Sequence, residues 1–366
     1  MKSVFSDVTT QVYSDIALLL SQCSNVYSAE VPGAMQELAK QIVDDGLKEM
    51  FLSSSNEECI QLMRSEKYLT LKKKMEIFLQ RHGHRCVREA EMREKSWHQD
   101  PSKLINVLKV ILETGSYESR AKDHLTPAQL VSKIKTPLPF IKRKIMQYLL
   151  PTMWKAVGDR EWGKSLAIVL NDIFKCAYWT LASLMVKEGR LPEEDLLFFL
   201  THYEIGTVIK TRSARLIMKA QCRRKVLHKQ MALRFPRLSF GYPKPIERET
   251  KKIDKDDGDA TAVLKGMPVS RGVVRGPARV VLTLHEARTI QAGDILVVVF
   301  TDVGWTPYFP LIAGLVTELG GLVSHGAVVA REYGIPCVVN VPGATVKISN
   351  GMLLELNGEK GTLHVL

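Results

Sequence analysis

The chain has 366 residues, 45% hydrophobic and 25% charged, with 24 glycines, 16 prolines and a net charge of +12. That composition excludes disordered, collagen-like and mucin-like classes, and the length suits two or three domains with real cores. No apolar run reaches the roughly 18–20 residues of a membrane span, and the opening Met1-Lys2-Ser3-Val4-Phe5-Ser6-Asp7 forms no signal-peptide core, so no membrane is expected as a partner.

Along the first part of the chain, apolar residues recur at helical spacing. Ile60-Leu62-Met63, Leu104 to Leu112, and Leu166 through Leu184 carry this pattern. Thr126-Pro127, Pro151 and Gly189-Arg190-Leu191-Pro192 mark breaks between helices. Pro192 followed by Glu193-Glu194-Asp195 predicts the first turn of a further helix, with acids at its positive end. Residues 1–245 are therefore read as one mainly helical domain. Lone Trp154, Trp162 and Trp179 fit core or domain-interface positions in it. The six cysteines (23, 59, 86, 176, 222, 337) have no metal spacing, and read as buried free thiols of a cytoplasmic protein with no metal site.

Charge is unevenly placed. Only +1 of the net charge lies from 261 onward, and no acid stands between Glu204 and Glu247. That interval holds Lys210, Arg212, Arg215, Lys219, Arg223, Arg224, Lys225, Lys229, Arg234, Arg237 and Lys244. A solvated helix face, an anion site and a nucleic-acid surface all fit a basic run. With no zinc spacing or aromatic-rich strand motif beside it, nucleic acid is not an expected partner.

A charged run, 246–261, then reads as a linker. Beyond it short β-branched runs take over: Val273-Val274, Ala278 to Val281, Ile295 to Val299, Leu315 to Thr317 and Val338-Val339. A helix is expected over Ala327–Tyr333, stopped by Gly334 and Pro336, and the tail from Asn350-Gly351 to Leu366 reads as a hairpin. Residues 262–366 form one α/β domain on this reading.

The chemistry concentrates in Thr317-Glu318-Leu319-Gly320-Gly321-Leu322-Val323-Ser324-His325-Gly326-Ala327. This is a strand, a glycine loop, a hydroxyl N-cap at Ser324 and a histidine opening a helix. Backbone amides and the helix dipole there favour a phosphoryl group, and a neutral imidazole is a competent nucleophile. The plain alternative is a glycine turn whose histidine has no special role.

The string from Gly320 to Val339 resembles the phosphohistidine signature of phosphoenolpyruvate-utilising enzymes, through Gly320, Gly321, Ser324, His325, Ala327, Arg331, Glu332, Gly334 and Pro336. Gly293 to Val297 and Thr301-Asp302-Val303-Gly304-Trp305-Thr306-Pro307 resemble the same domain. Phe78 to Arg85, Ser96 to Pro101, and Leu197 to Thr201 resemble the substrate-binding region of the rifampicin phosphotransferase branch. The resemblance implies a multidomain α and α/β protein, in which a helical acceptor-binding region precedes a swivelling β/β/α phosphohistidine domain. It also implies a phosphotransferase in which His325 carries a phosphoryl group from ATP to a hydroxyl or enolate of a small-molecule acceptor.

On the same basis Gly320, Gly321 and Ser324 shape the phosphoryl site, and Thr317 and Arg331 orient the ring or neutralise charge. Arg331 lies six residues on and does not share the histidine's helix face. His82, His84 and Arg85 are the expected acceptor contacts. Arg271 and Val303 depart from the family's prolines, and apolar Val323 fits the rifampicin branch. Residues 1–260 offer no phosphate loop or carboxylate metal site, so no cofactor is expected on this chain alone. ATP and Mg²⁺ are implied for the complete enzyme, through an ATP-grasp domain upstream or in trans. A catalytically silent family member with an interaction or regulatory role is the alternative.

Overall fold

The structure is a computed structural model, and it describes residues 9–23, 27–115, 125–231, 233, 235–236, 239–245, 263–283 and 286–366. The linker expected at 246–261 lies outside the described residues. Two compact units divide the chain, one drawn from Met1–Glu89, Ser96–Val169 and Ala260–Leu366, the other from Ala90–Lys95 and Leu170–Asp259.

In the first unit, helices α1 (Thr10–Leu20), α2 (Tyr27–Asp44), α3 (Lys48–Ser53), α4 (Asn56–Arg64), α5 (Leu69–His82), α6 (Ser102–Thr114) and α7 (Pro127–Ser132) precede α8 (Phe140–Lys187). Local chemistry starts and stops them. Ser55 with Glu58, and Thr126 with Gln129, form capping boxes on α4 and α7, while Gly115 (φ 68°) closes α6 in the left-handed conformation. Leu38, Ile42, Phe51, Phe78, Trp97, Leu104 and Leu108 interlock in the core of α2–α6. Each such fully buried side chain stabilises by about 1.5–3 kcal/mol. A second cluster joins α1, α7 and α8 through Val12, Ile16, Leu19, Leu130, Met146 and Leu150.

Pro151 does not break the chain as expected. It lies inside the 48-residue α8. A proline removes one amide and crowds the preceding turn, but here Met146 and Leu150 anchor the adjoining turn in the α1/α7 cluster.

The same unit contains the sheet domain. Its strands are β1 (Val263–Lys265), β2 (Met267–Ser270), β3 (Val273–Val280), β4 (Ile295–Val298), β5 (Gly314–Thr317), β6 (Cys337–Val339), β7 (Leu353–Asn357) and β8 (Thr362–Val365). They are ordered β1-β8-β7-β3-β4-β5-β6-β2. β3, β4, β5 and β6 run parallel, and the remaining pairings are antiparallel. Every residue of β4, β5 and β6 is buried, as expected of parallel strands covered on both faces. Helix α11 (His325–Tyr333) covers one face with Ala327, Val329 and Ala330, and the other packs Ile295, Val297 and Val338 against Ala344 of α12 (Ala344–Lys347). The tail hairpin is β7–β8.

The second unit holds the end of α8, then α9 (His202–Thr211) and α10 (Ala214–Met231) around Met185, Leu197, Ile205 and Val208. The segment expected as a helix after Pro192 is a short 3-10 turn, Glu194–Phe199. Its acids serve α10 instead, since Arg224 bonds Glu193 (2.7 Å) and Asp195 (2.9 Å). Glu204 accepts from Lys219 (2.7 Å) and Arg223 (2.5 Å), which hold its carboxyl far below the usual range. Part of the basic run is thereby neutralised by acids just upstream of it. Trp162 is exposed rather than core, and Cys222 is an exposed thiol, with Cys59, Cys86 and Cys337 buried.

Candidate active site

His325 is the first residue of α11, directly after the N-cap position Ser324. Gly320 takes φ 154°, and a Cβ there would meet Ser324 Oγ at 3.1 Å and Thr317 Oγ1 at 3.3 Å, so glycine is needed. Gly321 faces open space and is under no such demand. Ser324 occupies the N-cap position, but its side chain does not cap the helix. Its hydroxyl donates to the Gly321 carbonyl (2.9 Å), tightening the loop. Beside it, Leu322 and Val323 pack into the α1/α7/α8 cluster. The apolar residue at 323 thus serves docking of the loop.

The imidazole of His325 is partly buried, and its Nε2 is shut off from solvent with no hydrogen-bond partner among the described residues. Burial pushes its pKa down to about 3, aided by the positive charges of Lys164 and Arg85. The ring is therefore neutral at physiological pH, with a lone pair available. Thr301, just past β4, is 9% exposed, and its hydroxyl also lacks a partner. It lies against the start of α11. A Cβ at Gly326 would come within 2.4 Å of Thr301 Oγ1, so only glycine permits this approach.

Next to Thr301, Asp302 accepts the amides of Gly304 (3.0 Å) and Arg88, and burial raises its pKa. Arg88 has a left-handed backbone (φ 58°) in the loop that follows α5. The same loop supplies Arg85, which is 4% exposed. Its Nη1 donates to Glu89 (2.8 Å) and its Nη2 to Ser165 Oγ (3.3 Å), while Nε is buried without a partner. Lys164, exposed on α8, adds a second positive charge that acts on His325.

The expected support residues thus separate. Thr317 donates its hydroxyl to the Leu319 carbonyl (2.8 Å), which braces the loop and leaves the ring alone. Arg331 is buried and donates to the Val269 carbonyl (3.1 Å), tying α11 to β2. It makes no hydrogen bond to His325. Of the acceptor trio, Arg85 is the one whose charge acts on His325. His82 instead borders a cavity of about 590 Å³ between α2 and α5, with Ala34, Leu38, Lys74, Phe78 and Arg81. Its ring lies 5.4 Å from that of Phe78, and burial, followed by the Arg85 charge, lowers its pKa to about 4. His84 is half-buried between them in sequence.

Sequence reasoning missed Thr301, Asp302, Gly326 and Lys164 as site residues. Thr301-Asp302 lay within a family-like segment and Gly326 adjoined the histidine, so a signal existed for those three. Lys164 carried none, because a lysine on a charged helix looks like any solvated residue.

Residues 3–161 match the rifampicin phosphotransferase fourth domain, and residues 290–361 match the PEP-utilising enzyme mobile domain. Rifampicin phosphotransferase of Streptomyces sviceus is 34% identical over 80% of this chain and 34% of its own length. The Bacillus cereus protein of that name is 32% identical over 85% of this chain and 36% of its own. Prodigiosin synthesizing transferase of Serratia marcescens is 27% identical over 79% of this chain and 33% of its own length. The chain spans about a third of the length of these curated relatives. The chain thus carries a match to the rifampicin phosphotransferase fourth domain in its helical part and a match to the PEP-utilising enzyme mobile domain around His325, and is similar to rifampicin phosphotransferases over about four fifths of its length.

Proposed function

We propose that this chain is the carrier and acceptor-side part of a phosphotransferase, with His325 as the covalent phosphoryl carrier. The observation that supports it most is the neutral, unpartnered Nε2 at the head of α11, set beside the cations Arg85 and Lys164. In the loading step, the Nε2 lone pair forms an N–P bond as the donor's P–O bond breaks, and the leaving group keeps the bridging oxygen. In the second step an acceptor hydroxyl attacks phosphorus as its proton passes to solvent, the N–P bond breaks, and the lone pair returns to Nε2. An acceptor enolate oxygen serves equally. The cations neutralise charge on the transferring group, which supplies much of such catalysis.

The residues at His325 do not fit Mg²⁺-ATP. They are cationic, and the carboxylate of Asp302 is held by two amides and that of Glu89 by Arg85. The reading therefore assigns ATP and Mg²⁺ to an ATP-grasp domain elsewhere in the protein or on another chain. The helical part up to 245 takes the small-molecule acceptor, with His82 in the α2/α5 cavity and His84 as contacts, and 262–366 is the mobile carrier. Six free cysteines suit a cytoplasmic setting. Among the described residues no helix is long and apolar enough to cross a membrane.

Incubating the chain with β-labelled ATP, alone and with cell extract, tests the reading. Acid-labile label on His325 is expected only with extract, and none in His325→Ala. No acid-labile label in either case overturns it in favour of a silent family member.

A further inference from the structure

Among the described residues, three buried polar atoms from three separate stretches of chain lack hydrogen-bond partners: Nε2 of His325, Oγ1 of Thr301 and Nε of Arg85, whose charge acts on His325. Buried polar groups are nearly always paired, because an unmet donor loses its water without compensation, and each exception calls for an explanation. Packing places them together. Thr301 is pressed against Gly326, the residue after the histidine, and the backbone of the Arg85–Arg88 loop is bonded to Asp302, the residue after Thr301.

Both donors sit on rigid supports. Arg85 is 4% exposed and fixed by Glu89 and Ser165 through its other two nitrogens, so Nε is the donor left over. Thr301 is 9% exposed, three residues past the end of a fully buried strand. The α11 amides beside them carry partial positive charge. Neither donor has an acceptor among the described residues, and the chemistry that two such donors and a helix N-terminus match is a tetrahedral oxyanion bonded to Nε2.

We infer that Thr301 Oγ1 and Arg85 Nε are the donors that hold the phosphoryl oxygens on His325 while the carrier is docked on the helical part. This rests on the carrier reading of His325 and goes beyond it by naming the seat. Because one donor comes from the sheet domain and the other from the helical part, the seat is complete only when the two are together. Undocking removes Arg85 and loosens the hold on the group. Thr301 is then a specific hydroxyl requirement, and Arg85 a requirement for an Nε–H as well as a charge.

The test uses the full chain and potassium phosphoramidate, whose P–N bond breaks with loss of ammonia as the N–P bond to His325 forms. The site is mapped by mass spectrometry, and the ³¹P resonance and half-life of the phosphohistidine are then measured. In Thr301→Val and in Arg85→Lys, which keeps the charge but not the Nε–H, the resonance should move toward that of free phosphohistidine. The half-life should shorten by roughly tenfold, the scale of one charge-assisted hydrogen bond. Thr301→Ser should restore both, which a packing role for the methyl group would not. Wild-type resonance and half-life in both Thr301→Val and Arg85→Lys, with His325 still loaded, would overturn the seat and leave the carrier reading intact. Failure of the wild-type chain to load His325 at all would overturn the carrier reading, and the seat with it.

Discussion

Arg271 stands 2.5 Å, Nη2 to Oδ1, from the carboxylate of Asp15, which is 0% exposed. The arginine follows β2 and the aspartate lies in α1, so the pair joins the sheet domain to the helices. Arg271 Nε also donates to Ser14 Oγ (3.1 Å), and Asp15 accepts the amides of Lys135 (3.1 Å) and Thr136 (2.9 Å). At the position where the family pattern has proline, this chain has a clasp between the sheet domain and the helices.

Removing the clasp should loosen the sheet domain from the helices. In Arg271→Ala the lost charge-assisted bonds should lower stability by about 1.5–3 kcal/mol in urea unfolding. Nε2 of His325 is closed to solvent while docked, so phosphoramidate should label the variant several-fold faster than wild type. An unchanged labelling rate would show that this pair does not control access.

Two neighbouring glycines should behave oppositely. Gly326→Ala brings a methyl against Thr301 at 2.4 Å, and overpacking of this kind is destabilising by about 1–3 kcal/mol, with His325 loading reduced as α11 is pushed away. Gly321→Ala meets open space and should stay within about 0.5 kcal/mol of wild type. Equal effects would mean that the loop, and not the Thr301 contact, sets the geometry.

Acid should weaken the fold before it protonates His325. The folded pKa values of His325 (about 3) and His82 (about 4) lie below the unfolded value. Between those values and about 6.5 the unfolded chain therefore binds more protons than the folded one. Their contribution to stability is full above pH ~6.5 and is lost as pH falls, by up to about 1.4 kcal/mol per pH unit for each histidine. Urea titrations from pH 7.5 to 5 should show this decline, flattened in His82→Leu. Phosphoramidate labelling of His325 at pH 5 should remain near its pH 7 level, whereas a histidine of ordinary pKa would lose most of its free lone pair.

Arg331 should prove a structural residue. Its guanidinium is buried against the Val269 carbonyl, so Arg331→Ala should lower the thermal midpoint. Labelling of His325 per folded molecule should be unaltered. A selective loss of labelling with an unchanged midpoint would restore it to the phosphoryl site.

The sequence by itself determined the switch from helical to alternating β character, the positions of β4, β5 and β6, the tail hairpin, and a glycine loop delivering a histidine to a helix start. These are local properties: period, β-branching and turn chemistry act between residues a few positions apart. Tertiary packing decided what those signals could not. Whether Pro151 ended a helix depended on the cluster that holds α8 in place. The Ser324 hydroxyl could cap α11 or bind Gly321, and the loop's docking on Leu322 and Val323 accompanies the second choice. Arg331 was the cation expected at the phosphoryl site and Arg85 an acceptor contact, yet Arg331 is bonded to Val269 and it is the charge of Arg85 that acts on His325. Helix rotation fixed the first, and the docking of a loop far away in the chain fixed the second. Thr301 and Lys164 acquired their places in the same way, because a hydroxyl or an amine has no chemical meaning until packing removes its water and supplies its neighbour.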